Sequence, residues 1–174
     1  KELFEDLAVF TKKLKKNIFK KIKYRVVGNH LGFSEAYSKK FGISKLSLIK
    51  ETSGDSSAGT FSKTLQNSIF KDFRRSKIIV CCYPQTPFFE AMYTGIPTIL
   101  FCRHKYWEMK KDNYKIFNIL KDSKIAFENP TLASDHINKY WNNLEEWWLS
   151  DKTIQARKFF LQNFYSVKKN WQSE

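Results

Sequence analysis

Apolar positions along this chain alternate between two rhythms, helical stripes and short continuous runs. From Lys1 to Lys20, Leu3, Leu7, Phe10, Leu14 and Phe19 share roughly one stripe. Lys12, Lys13, Lys15, Lys16 and Lys20 cover the rest, which predicts an amphipathic helix. A short strand is expected from Ile22 to Val27, ended by Gly28-Asn29. Ser34 is placed to N-cap a brief helix through Lys40, stopped by Gly42, and Leu46 to Ile49 is the next strand candidate. Thr52 to Thr60 is small, polar and glycine-bearing, the pattern of a surface loop. Phe61 to Phe73 predicts a helix with Leu65, Ile69, Phe70 and Phe73 inward.

The middle of the chain is the most regular part. Two apolar runs, Lys77 to Cys82 and Pro97 to Phe101, flank a helical pattern from Pro87 to Tyr93 that closes on Gly95-Ile96-Pro97. Strand, helix, turn and strand make a βαβ unit, and Pro87 suits the first helical turn because its missing N–H has no intrahelical partner there. Further on, Asn113 to Leu120 predicts a helix and Ile125 to Phe127 a weak edge strand. The remainder predicts two helices, Thr131 to Trp148 and Lys152 to Lys168, separated at Ser150-Asp151. Alternation at this spacing points to an α/β fold: a Rossmann-like, doubly wound parallel sheet of about five strands with helices on both faces and two C-terminal helices. Residues 1–174 are expected to form a single domain, with 131–174 as a helical extension. Lys1 opens inside a helical pattern without an initiator Met, so the chain is expected to be a piece of a longer two-domain protein.

Open α/β sheets bind ligands at the carboxyl ends of their strands, where Pro84, Gln85 and Thr86 would lie. A helix N-terminus carries unpaired N–H groups and a partial positive charge that suit an anion. The Thr86 hydroxyl and the N–H groups of Phe88 and Phe89 are therefore candidates to face one phosphate, with Gln85 beside them for a sugar or base. The alternative is that Thr86 only caps its own helix. Glu90 is a carboxylate in an apolar setting: either an acceptor for a ribose or sugar hydroxyl, or a group serving the helix dipole or an ion pair with Arg74 or Arg103. Asn29 and His30 lie just past the first strand and are in reach of the same crevice. Arg25, inside that strand, is a further ligand candidate or else pairs with a core carboxylate. Arg103, His104 and Lys105 follow the Pro97–Phe101 strand and are suited to neutralise a diphosphate or to remain solvated surface charge. The Ser53-to-Gly59 stretch matches neither a P-loop nor GxGxxG. His30, His104 and His136 are far apart and show no ligand spacing, so no metal is expected.

Composition narrows the class. Hydrophobic residues make up 42% and aromatic residues 17% of the 174-residue chain, a globular balance that excludes a disordered one. A net charge of +14 implies attraction to nucleotides, anionic lipid surfaces, acidic glycans or nucleic acid. No nucleic-acid-binding motif accompanies that charge, so specific nucleic-acid binding is not expected. Cys81, Cys82 and Cys102 fit small core residues in a reducing compartment; vicinal strand cysteines point to opposite faces and make poor disulfide partners. No apolar run is long enough to span a bilayer and no signal peptide is recognisable, so a cytoplasmic location is expected, with the inner membrane face as a peripheral surface.

The run Tyr83-Pro84-Gln85-Thr86-Pro87-Phe88-Phe89-Glu90-Ala91, followed by Gly95-Ile96-Pro97-Thr98, is similar to the T-x-x-x-E-(A/T)…(G/N)-x-P pattern of GT-B glycosyltransferase C-terminal domains. Ser76 to Phe101, Tyr106-Trp107, the Phe117-to-Leu120 helix, Glu146-Trp147-Trp148 and the helix with Gln155, Phe160 and Tyr165 together resemble a narrower group, bacterial transferases of lipopolysaccharide or capsule synthesis. The resemblance implies a nucleotide-sugar donor held by this domain, with acceptor and general base supplied by a missing N-terminal domain, and no metal or other cofactor. It implies that Thr86 touches the donor phosphate and Glu90 the ribose or sugar. Retaining members often carry a second Glu where this chain has Cys81, Cys82 and Tyr83, so the stereochemical outcome stays open. A glycerol-phosphate-type transferase on the same scaffold is the alternative, and a basic module docking on anionic membrane or nucleic acid is a second.

Overall fold

The structure, a computed structural model, describes residues 2–25, 37–40, 42, 69–103 and 110–164. Its centre is a parallel sheet of three short strands, β1 (Ile79–Cys81), β2 (Thr98–Phe101) and β3 (Ala126–Phe127), in the order β1-β2-β3. Ile79 pairs with Thr98, Cys81 with Leu100, and Phe101 with Phe127. Every residue of β2 is buried, as expected for a strand covered on both faces. The strand candidate at 46–49 lies outside the described residues. Of the candidate at 22–27, residues 22–25 are described, and only Tyr24 makes a β-bridge.

Helices α1 (Glu2–Lys13) and α2 (Lys16–Phe19) precede the sheet, α3 (Thr86–Thr94) joins β1 to β2, and α4 (Lys111–Asp122) joins β2 to β3. Three more helices follow: α5 (Pro130–Tyr140), α6 (Leu144–Trp148) and α7 (Asp151–Phe164). α1 packs on α5, and α5 on β2 and β3; on the other side α3 lies against β1 and β2, while α7 covers α3 and α4. Ring contacts mark both layers. Phe10 stacks on Phe101 at 4.8 Å between centroids, and Phe160 meets Phe88 at 5.5 Å and Phe89 at 5.4 Å. Burying Phe88, Phe101 or Phe160 stabilises the fold by about 2 kcal/mol each. The chain is thus a mixed α/β protein, largely helical in its described parts. Among the described residues no helix is long and apolar enough to cross a membrane.

Two expected helices are interrupted. The one from Lys1 to Lys20 breaks at Leu14-Lys15, where Lys15 is extended (ψ 145°). Asn138 of α5 causes the break: its Oδ1 accepts from the Lys15 N–H and its Nδ2 donates to the Lys13 carbonyl, each at 2.9 Å. A tertiary side chain has replaced the intrahelical ladder. The expected helix from Thr131 to Trp148 breaks at Trp141-Asn142-Asn143, where the Asn143 N–H closes a turn on the Tyr140 carbonyl. Asn favours such local turns over helix interior.

Candidate functional site

β1 ends at Cys81, and the chain bends through Cys82 to Gln85 before α3 begins. The Gln85 N–H donates to the Tyr83 carbonyl at 3.0 Å, and Gln85 itself is the extended N-cap, with no side-chain cap bond. Thr86 is therefore the first helical residue and not the cap. Pro87 occupies the first turn as the sequence predicts. Phe88, Ala91 and Met92 anchor α3 in the core, and Gly95 ends it in the left-handed conformation (φ 76°).

The geometry corrects one expectation. The N–H groups of Phe88 and Phe89 do not face outward; both donate to the Gln85 carbonyl, at 2.8 and 3.4 Å. With Pro87 lacking an N–H, an anion at this helix end would meet Thr86 rather than a fan of amides. Thr86 and Gln85 are both exposed at the carboxyl end of β1, and Pro84 is half-buried beside them. Glu90, one turn on, is half-buried, and desolvation raises its carboxyl above the ordinary carboxylate range. Neither Arg74 nor Arg103 bridges it, and no described residue forms an ion pair with it.

Arg103 follows β2 on the same edge. Its Nε donates to Oδ2 of Asp6 at 2.8 Å and its Nη2 to Oδ1 at 2.7 Å, a two-point bridge to a buried carboxylate of α1. The side chain is 43% exposed at this edge. Arg25 bridges Asp72, a half-buried carboxylate of the segment before β1. Asn29, His30, His104 and Lys105 lie outside the described residues. The structure thus brings Pro84, Gln85, Thr86 and Arg103 to one edge, with Glu90 one helical turn behind. Arg25 is engaged with the segment before β1.

A hydroxyl pair that no sequence pattern marks ties α1 to the stretch after α2. Tyr24 and Thr11 share a hydroxyl hydrogen bond at 2.9 Å, and Thr11 also donates to the Leu7 carbonyl at 2.7 Å. Burial raises the Tyr24 hydroxyl, and raises Tyr83 with a further push from Cys82 and Cys81. Cys82 is pushed up to about 12 by burial and by Cys102, and Cys102 to about 12 by burial and by Glu128. These thiols are free and protonated near neutrality, the state of core packing residues rather than nucleophiles. Among the described residues no group of three His, Cys, Asp or Glu is placed to hold a metal. Asp6 was missed at the sequence level because it meets Arg103 across 97 positions, a separation that no local pattern reports.

A family model described as LIC12162 family transferase matches residues 1–174. The chain belongs to that family. Membership makes it a transferase-family protein along its whole length. No curated protein and no solved structure matches the chain.

Proposed function

We infer that this domain binds the donor of a glycosyl transfer, a nucleotide-sugar, and forms the donor half of a GT-B-like enzyme of bacterial cell-surface polysaccharide synthesis. The observation that carries this is the parallel β1–α3–β2 unit, with exposed Thr86 and Gln85 just past β1 and Arg103 just past β2. Ligands of open α/β sheets settle at that edge. Membership of a transferase family and helices on both sheet faces support the same assignment.

Here the Thr86 hydroxyl and amide meet one donor phosphate, and Arg103, oriented by Asp6, meets the other. Charge leaving with the nucleotide is stabilised by groups already in place, which lowers the barrier to breaking the sugar–phosphate bond. Glu90 accepts from a ribose or sugar hydroxyl. A fuller doubly wound sheet would extend the three strands with those expected at 22–27 and 46–49. Acceptor and general base come from a second domain, and the enzyme works at the cytoplasmic face of the membrane.

A thermal-shift screen of CMP-, UDP-, GDP- and dTDP-sugars tests this. One nucleotide class should raise the Tm, and Thr86→Val should abolish most of the rise while leaving the ligand-free Tm within a degree or so, since Thr86 is exposed. Equal rises in both proteins remove Thr86 from the site; no rise with any donor removes the donor assignment.

A further inference from the structure

The opposite, amino edge of the sheet carries a second feature, separate from the donor site. Lys77 lies two residues before β1, and Trp141 caps the far end of α5, which starts at the carboxyl end of β3 and returns. Lys21 follows α2. The ammonium groups of Lys77 and Lys21 sit 5.0 and 5.9 Å from the centroid of the Trp141 ring, and that of Lys139 sits 4.8 Å from the ring of Tyr140. Lys15 joins the cluster through Asn138, whose carbonyl accepts from its Nζ at 3.3 Å. All four lysines are exposed, while Trp141 and Tyr140 are half-buried against the core.

Charge balance is the informative part. Asp135 stands one turn before Lys139 and does not bridge it, and among the described residues Lys21, Lys77 and Lys139 have no carboxylate partner. Lysines spread over a solvated face ordinarily point apart. Here three, from separate stretches of chain, converge on two adjacent aromatic rings.

We propose that this amino-edge cluster docks the protein on an anionic lipid surface. Exposed ammonium groups gathered over an indole anchored at the protein surface, with no carboxylate among the described residues to neutralise them, match the anionic headgroup layer at the edge of the hydrocarbon. A nucleic-acid platform is less well matched, because two ammonium groups already occupy the Trp141 ring on which a base would stack. Docking by the amino edge leaves the Thr86 edge directed away from the lipid and open to a soluble donor.

The test is co-sedimentation of the chain with phosphatidylcholine vesicles, with and without phosphatidylglycerol, together with binding to a single-stranded oligonucleotide. The wild-type chain should bind only the phosphatidylglycerol vesicles, with affinity falling as salt rises. K21E/K77E/K139E should weaken that binding by more than about 100-fold. K115E/K152E/K158E, an equal charge change on exposed positions of α4 and α7, should weaken it by much less. If the first triple variant fails a far-UV circular dichroism check, K21Q/K77Q/K139Q replaces it, with a loss on the order of 100-fold expected. Equal losses in both triple variants, no vesicle binding by the wild type, or loss confined to the oligonucleotide would each overturn the proposal.

Discussion

Trp148 donates its indole N–H to the carbonyl of Gly95 at 2.6 Å, tying α6 to the turn that ends α3. Arg157 of α7 lies over the same indole, 4.1 Å from its centroid, so one side chain joins three helices. Its neighbour Trp147 does the equivalent at the end of α4, donating to the Ser123 carbonyl at 2.9 Å. The tandem tryptophans are a clamp between the C-terminal helices and the turns that follow the crossover helices.

Trp148→Phe keeps most of the ring and removes the donor. The Gly95 carbonyl then loses its indole partner, and the ring stacks less well under Arg157. Urea denaturation should show a loss of about 1–2 kcal/mol with an unchanged m-value. No change in midpoint would mean that the bond contributes nothing net.

Gly95→Ala places a Cβ at φ 76°, 3.5 Å from the Arg157 guanidinium. Contact at that distance is tolerable, so the cost is backbone strain, about 1–2 kcal/mol. Asn at the same position should cost less than Ala, since Asn tolerates the left-handed region; equal losses would point to the contact instead.

The Asp6–Arg103 bridge links α1 to the carboxyl end of β2, and Asp6 is only 6% exposed. Asp6→Asn should destabilise by about 1–3 kcal/mol. A double-mutant cycle with Arg103→Gln should return a coupling of about 1–2 kcal/mol, the exposed side of the guanidinium limiting it. Zero coupling would make the bridge incidental.

His136 is packed among Phe127, Tyr140 and Trp147, and its Nε2 is buried without a hydrogen-bond partner. Burial, then Lys124 and Lys139, lowers its pKa to about 4 from an ordinary 6.5. Because the folded value is the lower one, the unfolded chain takes up the proton first as pH falls. Stability should therefore drop between roughly pH 6.5 and pH 4, by about 1–2 kcal/mol once partial exposure is discounted. His136→Phe should flatten that part of the stability–pH curve; an unchanged slope would assign it to other groups.

The three cysteines make a kinetic prediction. Burial raises Cys81, and Cys82 and Cys102 stand at about 12, so thiolate is scarce at pH 8. Ellman's reagent should react with the native protein far more slowly than with the urea-unfolded chain. Immediate labelling of one thiol in the native state would contradict the burial described here.

Local signals carried much of the fold. The continuous apolar run of β2, Pro87 in the first turn of α3 and Gly95 at its end each report a backbone requirement that only neighbouring residues decide. Asn129 caps α5 by accepting from the Thr131 N–H at 2.8 Å, again a relation between near neighbours. Helix continuity was not legible in the same way. At Lys15 the periodicity runs on, and the break is made by Asn138, more than a hundred residues away, which competes for the backbone groups.

Which cations stand at the candidate site was likewise a matter of distant partners. Arg25 and Arg103 look alike in sequence, each in or just past an apolar run. Asp72 draws one to the segment before β1, and Asp6 aims the other along the carboxyl edge. From sequence alone come the βαβ unit, its turn chemistry and a strongly basic chain, because these depend on residue type and short spacing. Tertiary structure alone decided that Asp6 orients Arg103, that Asn138 interrupts the first helix, and that lysines far apart in the chain converge on Trp141. Those outcomes depend on where backbone and side-chain groups find their partners in space, which packing sets.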